Sequence, residues 1–245
     1  MPVYYGRRGA QSYGHDIGIL LMECFNPFPP GDVGNASTYD YPVLYETVRG
    51  VTIESLVERG ETAAIDAMIE AAQKLEREGV KAITSDCGYM LVYQDLVAQA
   101  LKVPVMMSSL LQLRFIASLI PPEGEIGLIC AHSDRMNAGL LDAAWPERNR
   151  TIRVGGMEHQ PGFREAILDE KGRLDTEVVE AETVAVAQAL VTAYPNIRAL
   201  LIECSNLPPY SAAVQQATGL PVFDFITMID HVRASIARPV FRGGY

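Results

Sequence analysis

Basic residues are in short supply. Only 20 Lys and Arg stand against 30 Asp and Glu in 245 residues, a formal charge of −10. Such a chain lacks the positive footprint that nucleic-acid phosphates require and has no electrostatic reason to sit on an anionic membrane. Any anionic substrate must be attracted by local features, not by the overall field. Uninterrupted apolar runs are absent at the length of roughly 18 residues that a membrane span needs, and Met1–Asp16 has no apolar core of a signal peptide. Cysteine is scarce: four residues are too few for a disulfide framework, so a cytoplasmic protein with reduced thiols is expected. His15, His132, His159 and His231 show no metal-ligand spacing, and there is no C-x-x-C pair, G-x-G-x-x-G or Walker A sequence. No metal is therefore expected, and nucleotide binding has no support. What is present is ordinary globular material, with 49% hydrophobic and 20% charged residues, enough to bury a core.

The informative feature is an internal repeat. Val80–Val105 and Ile197–Val222 align without a gap at an offset of 117, with eight of 26 positions identical, among them Cys87/Cys204 and Tyr93/Tyr210. Upstream, Asp16–Leu20 (DIGIL) matches Glu125–Ile129 (EIGLI) at an offset of 109. Each half alternates short apolar runs with helical patterns. The first predicts a strand at Ile17–Met22, a helix at Glu61–Glu78 stopped by Gly79, a strand at Val80–Thr84, a helix at Tyr93–Leu101 and a strand at Val103–Met107. The second predicts strands at Ile126–Ala131, Ile197–Ile202 and Val222–Phe225, with helices at Thr176–Ala193 and Ser211–Thr218. The expected fold is α/β: two pseudo-symmetric parallel-sheet lobes, residues 1–120 and 121–245, with a C-terminal segment free to cross back onto the first. The active site belongs in the cleft between them, at the carboxyl ends of the strands.

Cys87 and Cys204 fall at equivalent places, each past a strand and a few residues before a helix. Free cysteine is among the most buried residue types, and a lone one reads as a core thiol. Two at duplicated strand ends point to function. Backbone N–H groups and a positive helix end there favour thiolate and can hold a carboxylate. Thiols on two sides of one carbon suit proton exchange with inversion, one acting as base and the other as acid. Asp86 and Glu203, directly before the cysteines, oppose thiolate formation; pairing with cations elsewhere is the structural reading, and activation of the thiols the alternative. Tyr93 and Tyr210 either donate into the cleft or pack helix to sheet. Cys24 and Cys130 are not at matched positions and read as core thiols, Cys24 being the nearer to the cleft.

This duplicated pattern resembles the aspartate/glutamate/hydantoin racemase superfamily over almost the entire chain. Within it, Pro29–Asn35 (PPGDVGN), Ser85–Met90 (SDCGYM), Glu203–Ser211 (ECSNLPPYS) and Thr218–Asp224 (TGLPVFD) look most like algal dimethylsulfoniopropionate lyases and their bacterial relatives. The sequence departs from the glutamate racemase pattern, which has Asn-Thr after the first cysteine and Thr-His after the second; here stand Gly88-Tyr89 and Ser205-Asn206. The resemblance implies an enzyme free of pyridoxal phosphate and metal that uses Cys87 and Cys204 as its acid/base pair. The leading expectation is an amino-acid racemase or isomerase abstracting the proton α to a carboxylate; β-elimination of the dimethylsulfoniopropionate type is the alternative, and a non-catalytic carboxylate binder the third. Substrate binding is expected from Gly88, Tyr89, Ser108, Ser205, Asn206 and Tyr210. Different surroundings make Cys204 the expected principal base. The expected partners are a small carboxylate substrate and further copies of the chain.

Overall fold

The computed structural model describes residues 2–241 and 243. The first half runs β1 (Ile17–Glu23), β2 (Val43–Thr52), α1 (Ile65–Glu78), β3 (Ala82–Ser85), α2 (Gln94–Ala100), β4 (Val105–Met106) and α3 (Leu113–Leu119). The second runs β5 (Glu125–Cys130), α4 (Ala138–Ala144), β6 (Ile152–Gly156), α5 (Pro161–Phe163), α6 (Thr176–Ala193), β7 (Ile197–Ile202), α7 (Ser211–Thr218), β8 (Val222–Phe223) and α8 (Phe225–Ile236). The strands make two four-stranded sheets of the same order, β2-β1-β3-β4 and β6-β5-β7-β8. Every pair is parallel. The two expected parallel-sheet lobes are therefore what the chain forms.

Strand β1 is buried along most of its length because both faces are covered, as a central parallel strand requires. A single apolar cluster runs through both lobes, including Ile83 and Met68 in the first and Leu128 and Leu201 in the second. The C-terminal helix leaves its own lobe: Phe225, Met228 and Ile229 of α8 pack on Ile17, Ile19, Ala82 and Met106 of the first sheet. Tyr41 Oη donates to Asp230 at 2.6 Å, and Arg233 faces Asp16 at 3.3 Å to fix that crossing. No described helix is long and apolar enough to cross a membrane.

Two boundaries that differ from expectation, and two segments that were not expected, stand out. Helix α1 begins at Ile65, not Glu61, and its N-cap position, Ala64, has no side-chain oxygen to offer. Strand β8 stops at Phe223 because Asp224 caps α8, its carboxylate accepting from Thr227 N–H while the Thr227 hydroxyl accepts from Asp224 N–H. Residues Ile53–Glu58 and Arg164–Leu168, unpredicted, form short π-helical segments, one in each lobe. Such segments are often found at functional sites.

Candidate active site

Both sheets reverse their strand order between the first and third strands of each half, at β1/β3 and at β5/β7. In open α/β sheets the crevice at such a switch point is where ligands bind. The chain leaves β3 through Asp86 and Cys87, and leaves β7 through Glu203 and Cys204. The backbone repeats across the lobes here. Asp86 N–H donates to Leu20 C=O at 3.0 Å, and Glu203 N–H to Ile129 C=O at 2.7 Å. The carboxyls repeat it too. Asp86 accepts from Met22 N–H at 3.0 Å, and Glu203 from Ala131 N–H at 3.4 Å. Leu20/Ile129 and Met22/Ala131 keep the offset of 109 while the acids keep 117. The repeat read in the sequence is thus a repeat of hydrogen bonds at the cleft.

Cys87 and Cys204 line one cavity of about 20 Å³, little more than the room for a water molecule. Asp86, Gly88, Glu203, Ser205 and Asn206 line it with them. Tyr89, Met22 and Ala131 also line it, as do Ile53 and Val57 from one π-helical segment and Ile167 and Leu168 from the other. None of the described residues lining it is a lysine, arginine or histidine.

Of the residues expected to bind substrate, Gly88, Tyr89, Ser205 and Asn206 are brought to this cavity, and Ser108 and Tyr210 are not. Ser108 is fully buried and uses its hydroxyl to accept from Leu110 N–H, capping a 3-10 turn. Tyr210 is buried with its hydroxyl unpartnered. Tyr93 packs in the core, its hydroxyl 3.5 Å from Glu61 C=O. Tyr89 lines the site, but its hydroxyl is committed to the other lobe, donating to His132 C=O and accepting from His132 N–H, both at 2.9 Å. The Ser205 hydroxyl donates to Asp86 C=O. These bonds join the lobes directly beside the thiols.

Two expectations need correction. The thiols were expected to sit where thiolate is favoured. Burial instead pushes both Cys87 and Cys204 well up, and the Glu203 carboxyl pushes further; the Tyr89 N–H on Cys87 and the Asn206 N–H on Cys204 pull the other way. The helical turns that follow are short 3-10 pieces with little dipole to offer. Nor do Asp86 and Glu203 pair with cations. Both are buried without one among the described residues, and burial raises each to about 8. They hold their protons at neutral pH. Cys24 is half-buried and pushed up to about 12, mainly by burial, and Cys130 ends β5 fully buried.

Sequence reading singled out the PPGDVGN stretch only as a likeness and missed what Asp32 does. Asp32 is 1% exposed. Its carboxylate accepts from Gly34 N–H at 2.8 Å and from Asn206 Nδ2 at 2.9 Å, across the lobes. Asn206 in turn has its Oδ1 3.9 Å from the Cys204 sulfur, as acceptor for the thiol. Burial raises Asp32 to about 7 against those two donors. The loop can approach this closely because Gly31 adopts φ +100°, where a Cβ would lie 2.9 Å from Pro209 Cα.

Two α/β lobes of one topology, with a cysteine at the matched strand end of each, define a two-lobe racemase-like enzyme fold. The chain belongs to the Asp/Glu/Hydantoin racemase family, whose model matches residues 37–230. Its similarity to individual proteins is more specific. It is 34% identical over 231 residues to dimethylsulfoniopropionate lyase 7 of Emiliania huxleyi, covering 90% of this chain and 67% of that protein. It is also 34% identical to a dimethylsulfoniopropionate lyase of Durusdinium sp. clade D, over 92% of this chain and 76% of that one. Other Emiliania huxleyi relatives are longer still, the chain covering 59% of lyase 3. Among solved structures, unliganded arylmalonate decarboxylase superposes with a TM-score of 0.59 at 18% identity, over 94% of this chain and 97% of that one. A glutamate racemase isoform of Bacillus anthracis gives 0.57 at 14%, over 92% and 85%. At such identities the structures speak for the fold alone.

Proposed function

We propose that this chain is a cofactor-independent lyase that removes the proton α to a substrate carboxylate and expels a β-sulfide, as in dimethylsulfoniopropionate cleavage to acrylate and dimethyl sulfide. The observation that carries this reading is the pair of thiols, Cys87 and Cys204, lining one small cavity that holds acids and, among the described residues, no cationic side chain. Two protonated, buried thiols need a reason to ionise. A sulfonium entering that cavity is such a reason, since a nearby positive charge favours thiolate. A net-anionic amino acid brings the opposite field. The thiolate takes the α-proton, the carbon–carbon double bond forms, and the carbon–sulfur bond breaks with its electrons leaving on the sulfide. The proton then passes from thiol to solvent. Cys204 is taken as the principal base because its proton has a defined direction: the thiol donates to Asn206 Oδ1 at 3.9 Å while the Asn206 backbone N–H faces the sulfur, whereas Cys87 has a backbone N–H only.

Racemisation is the second reading, favoured by the duplicated thiols themselves. Incubation in deuterated water with dimethylsulfoniopropionate, aspartate, glutamate and a hydantoin, followed by NMR, separates the two. Acrylate with dimethyl sulfide supports elimination; α-deuterated substrate of both hands supports racemisation. Neither product from any of the four compounds would overturn the carbon-acid reading.

A further inference from the structure

The two lobes share backbone hydrogen bonds at the cleft but differ in the side chain that precedes each cysteine. Asp86 presents both carboxyl oxygens to Met22 N–H, at 3.0 and 3.1 Å. Glu203 is one methylene longer and is fully buried. Its Oε2 faces Ala131 N–H at 3.4 Å, but Oε1 is buried with no hydrogen-bond partner among the described residues. That free oxygen crosses to the opposite lobe. A Cβ built on Gly88 would lie 2.1 Å from it, so the carboxyl occupies the space that any side chain at position 88 would fill. It borders the cavity shared by Cys87 and Cys204, and no cation among the described residues lines that cavity. Cys87, Cys204, Cys130 and Tyr89 are the titratable groups around it.

We propose that Glu203 is a catalytic residue whose carboxylic acid donates a hydrogen bond to the substrate carboxylate between the two thiols. The proposal rests on the carbon-acid reading of this cavity. Burial raises the group to about 8, so at neutral pH its proton is available for donation. A protonated carboxyl is a single O–H donor, and an O–H aimed at a carboxylate is among the short, strong kinds of hydrogen bond. When the α-proton leaves, negative charge moves onto the substrate carboxylate oxygens, and a donor fixed there strengthens as that charge grows. The proton stays on Glu203 throughout, so no atom is transferred. An apolar cavity keeping a carboxylic acid neutral for this purpose is established enzyme chemistry.

The test compares Glu203→Gln, which keeps volume and a donor, with Glu203→Leu, which keeps volume and removes it. Binding of propionate is followed by NMR titration, independently of turnover. Glu203→Gln should bind propionate within about threefold of the natural protein. Glu203→Leu should bind it at least tenfold more weakly and, where elimination is observed, turn over on the order of 10²–10³-fold more slowly. Equal propionate binding by the natural protein and Glu203→Leu would overturn the proposal, as would a Glu203→Gln variant as weak as Glu203→Leu. Should Glu203→Leu not fold, the ¹³C resonance of the Glu203 carboxyl in the natural protein decides: a shift on adding propionate supports the contact, and its absence removes it. If the propionate pattern holds while no substrate is cleaved, it is the elimination reading that has failed.

Discussion

A thiol that must lose a proton inside a closed, uncharged cavity is chemically expensive, and the residues around Cys87 and Cys204 are arranged about that difficulty. Each sulfur has one backbone N–H directed at it; the Cys204 thiol also donates to Asn206 Oδ1, whose amide Asp32 holds at 2.9 Å so that the thiol proton keeps one direction. Cys87→Ser and Cys204→Ser should each lower turnover by two orders of magnitude or more, because a hydroxyl is a far weaker acid and supplies no resting base. Circular dichroism should be unchanged in both, and near-normal rates in both would remove the two-thiol mechanism. The larger loss of α-proton exchange is expected in Cys204→Ser; the reverse order would exchange the roles. Asp32→Ala acts one step away. It frees the Asn206 amide without touching the cavity, so turnover should fall about 10- to 100-fold, the worth of one hydrogen bond to a charged group. A steady-state comparison of Asp32→Ala with Asp32→Asn, which can still hold Asn206, measures whether orientation is what matters.

At the scale of elements, a cavity of about 20 Å³ admits a substrate only if part of its lining shifts. The pair of π-helical segments, Ile53–Glu58 and Arg164–Leu168, supplies Ile53, Val57, Ile167 and Leu168 to that lining and is the part expected to move. Arg135 Nε donates to Val57 C=O at 2.9 Å and ties the first segment to the other lobe. Backbone amide exchange in both segments should slow when propionate binds, while exchange in β1 and β5 stays as it was; unchanged exchange in the segments would show that entry lies elsewhere. These segments also mark the limit of what the sequence discloses. The central strands and the helices α6 and α7 are legible because they are long, regularly patterned or bounded by Gly and Pro. Strand β2 (VLYETVRGVT) and strand β6 (IRVGG) are not, because as edge strands they are only partly buried and lack a continuous apolar run. In the site, the cysteines are legible through the repeat. Asp32 and Glu203 are not, since what matters is that their carboxyls reach the other lobe, a relation fixed by folding and absent from spacing along the chain.

For the whole molecule, the consequence of burying three carboxyls near one cleft is a particular dependence of stability on pH. Asp32 is raised to about 7, and Asp86 and Glu203 to about 8, each chiefly by burial, against ordinary values near 4. A folded pKa above the unfolded one means the native state binds more protons than the unfolded chain between those limits. The slope of unfolding free energy with pH is then negative. The contribution of these groups is fully present below about pH 4 and is lost as pH rises towards 8. Elsewhere Asp16 runs the other way: although burial raises it, hydrogen bonds from Lys81 and Arg233 leave it lowered, so its contribution is lost on acidification. The chain should therefore be more resistant to urea at pH 5.5 than at pH 8.5. Replacing the two strand-end acids together, Asp86→Asn with Glu203→Gln, removes two of the three titrations. It should flatten the decline, leaving the smaller part due to Asp32 and to general repulsion in a chain of net charge −10. Urea midpoints at the two pH values, for the natural protein and the double variant, measure this directly. An unchanged difference between them would mean that the two carboxyls are already ionised at pH 5.5, and that the cleft is negatively charged when substrate arrives.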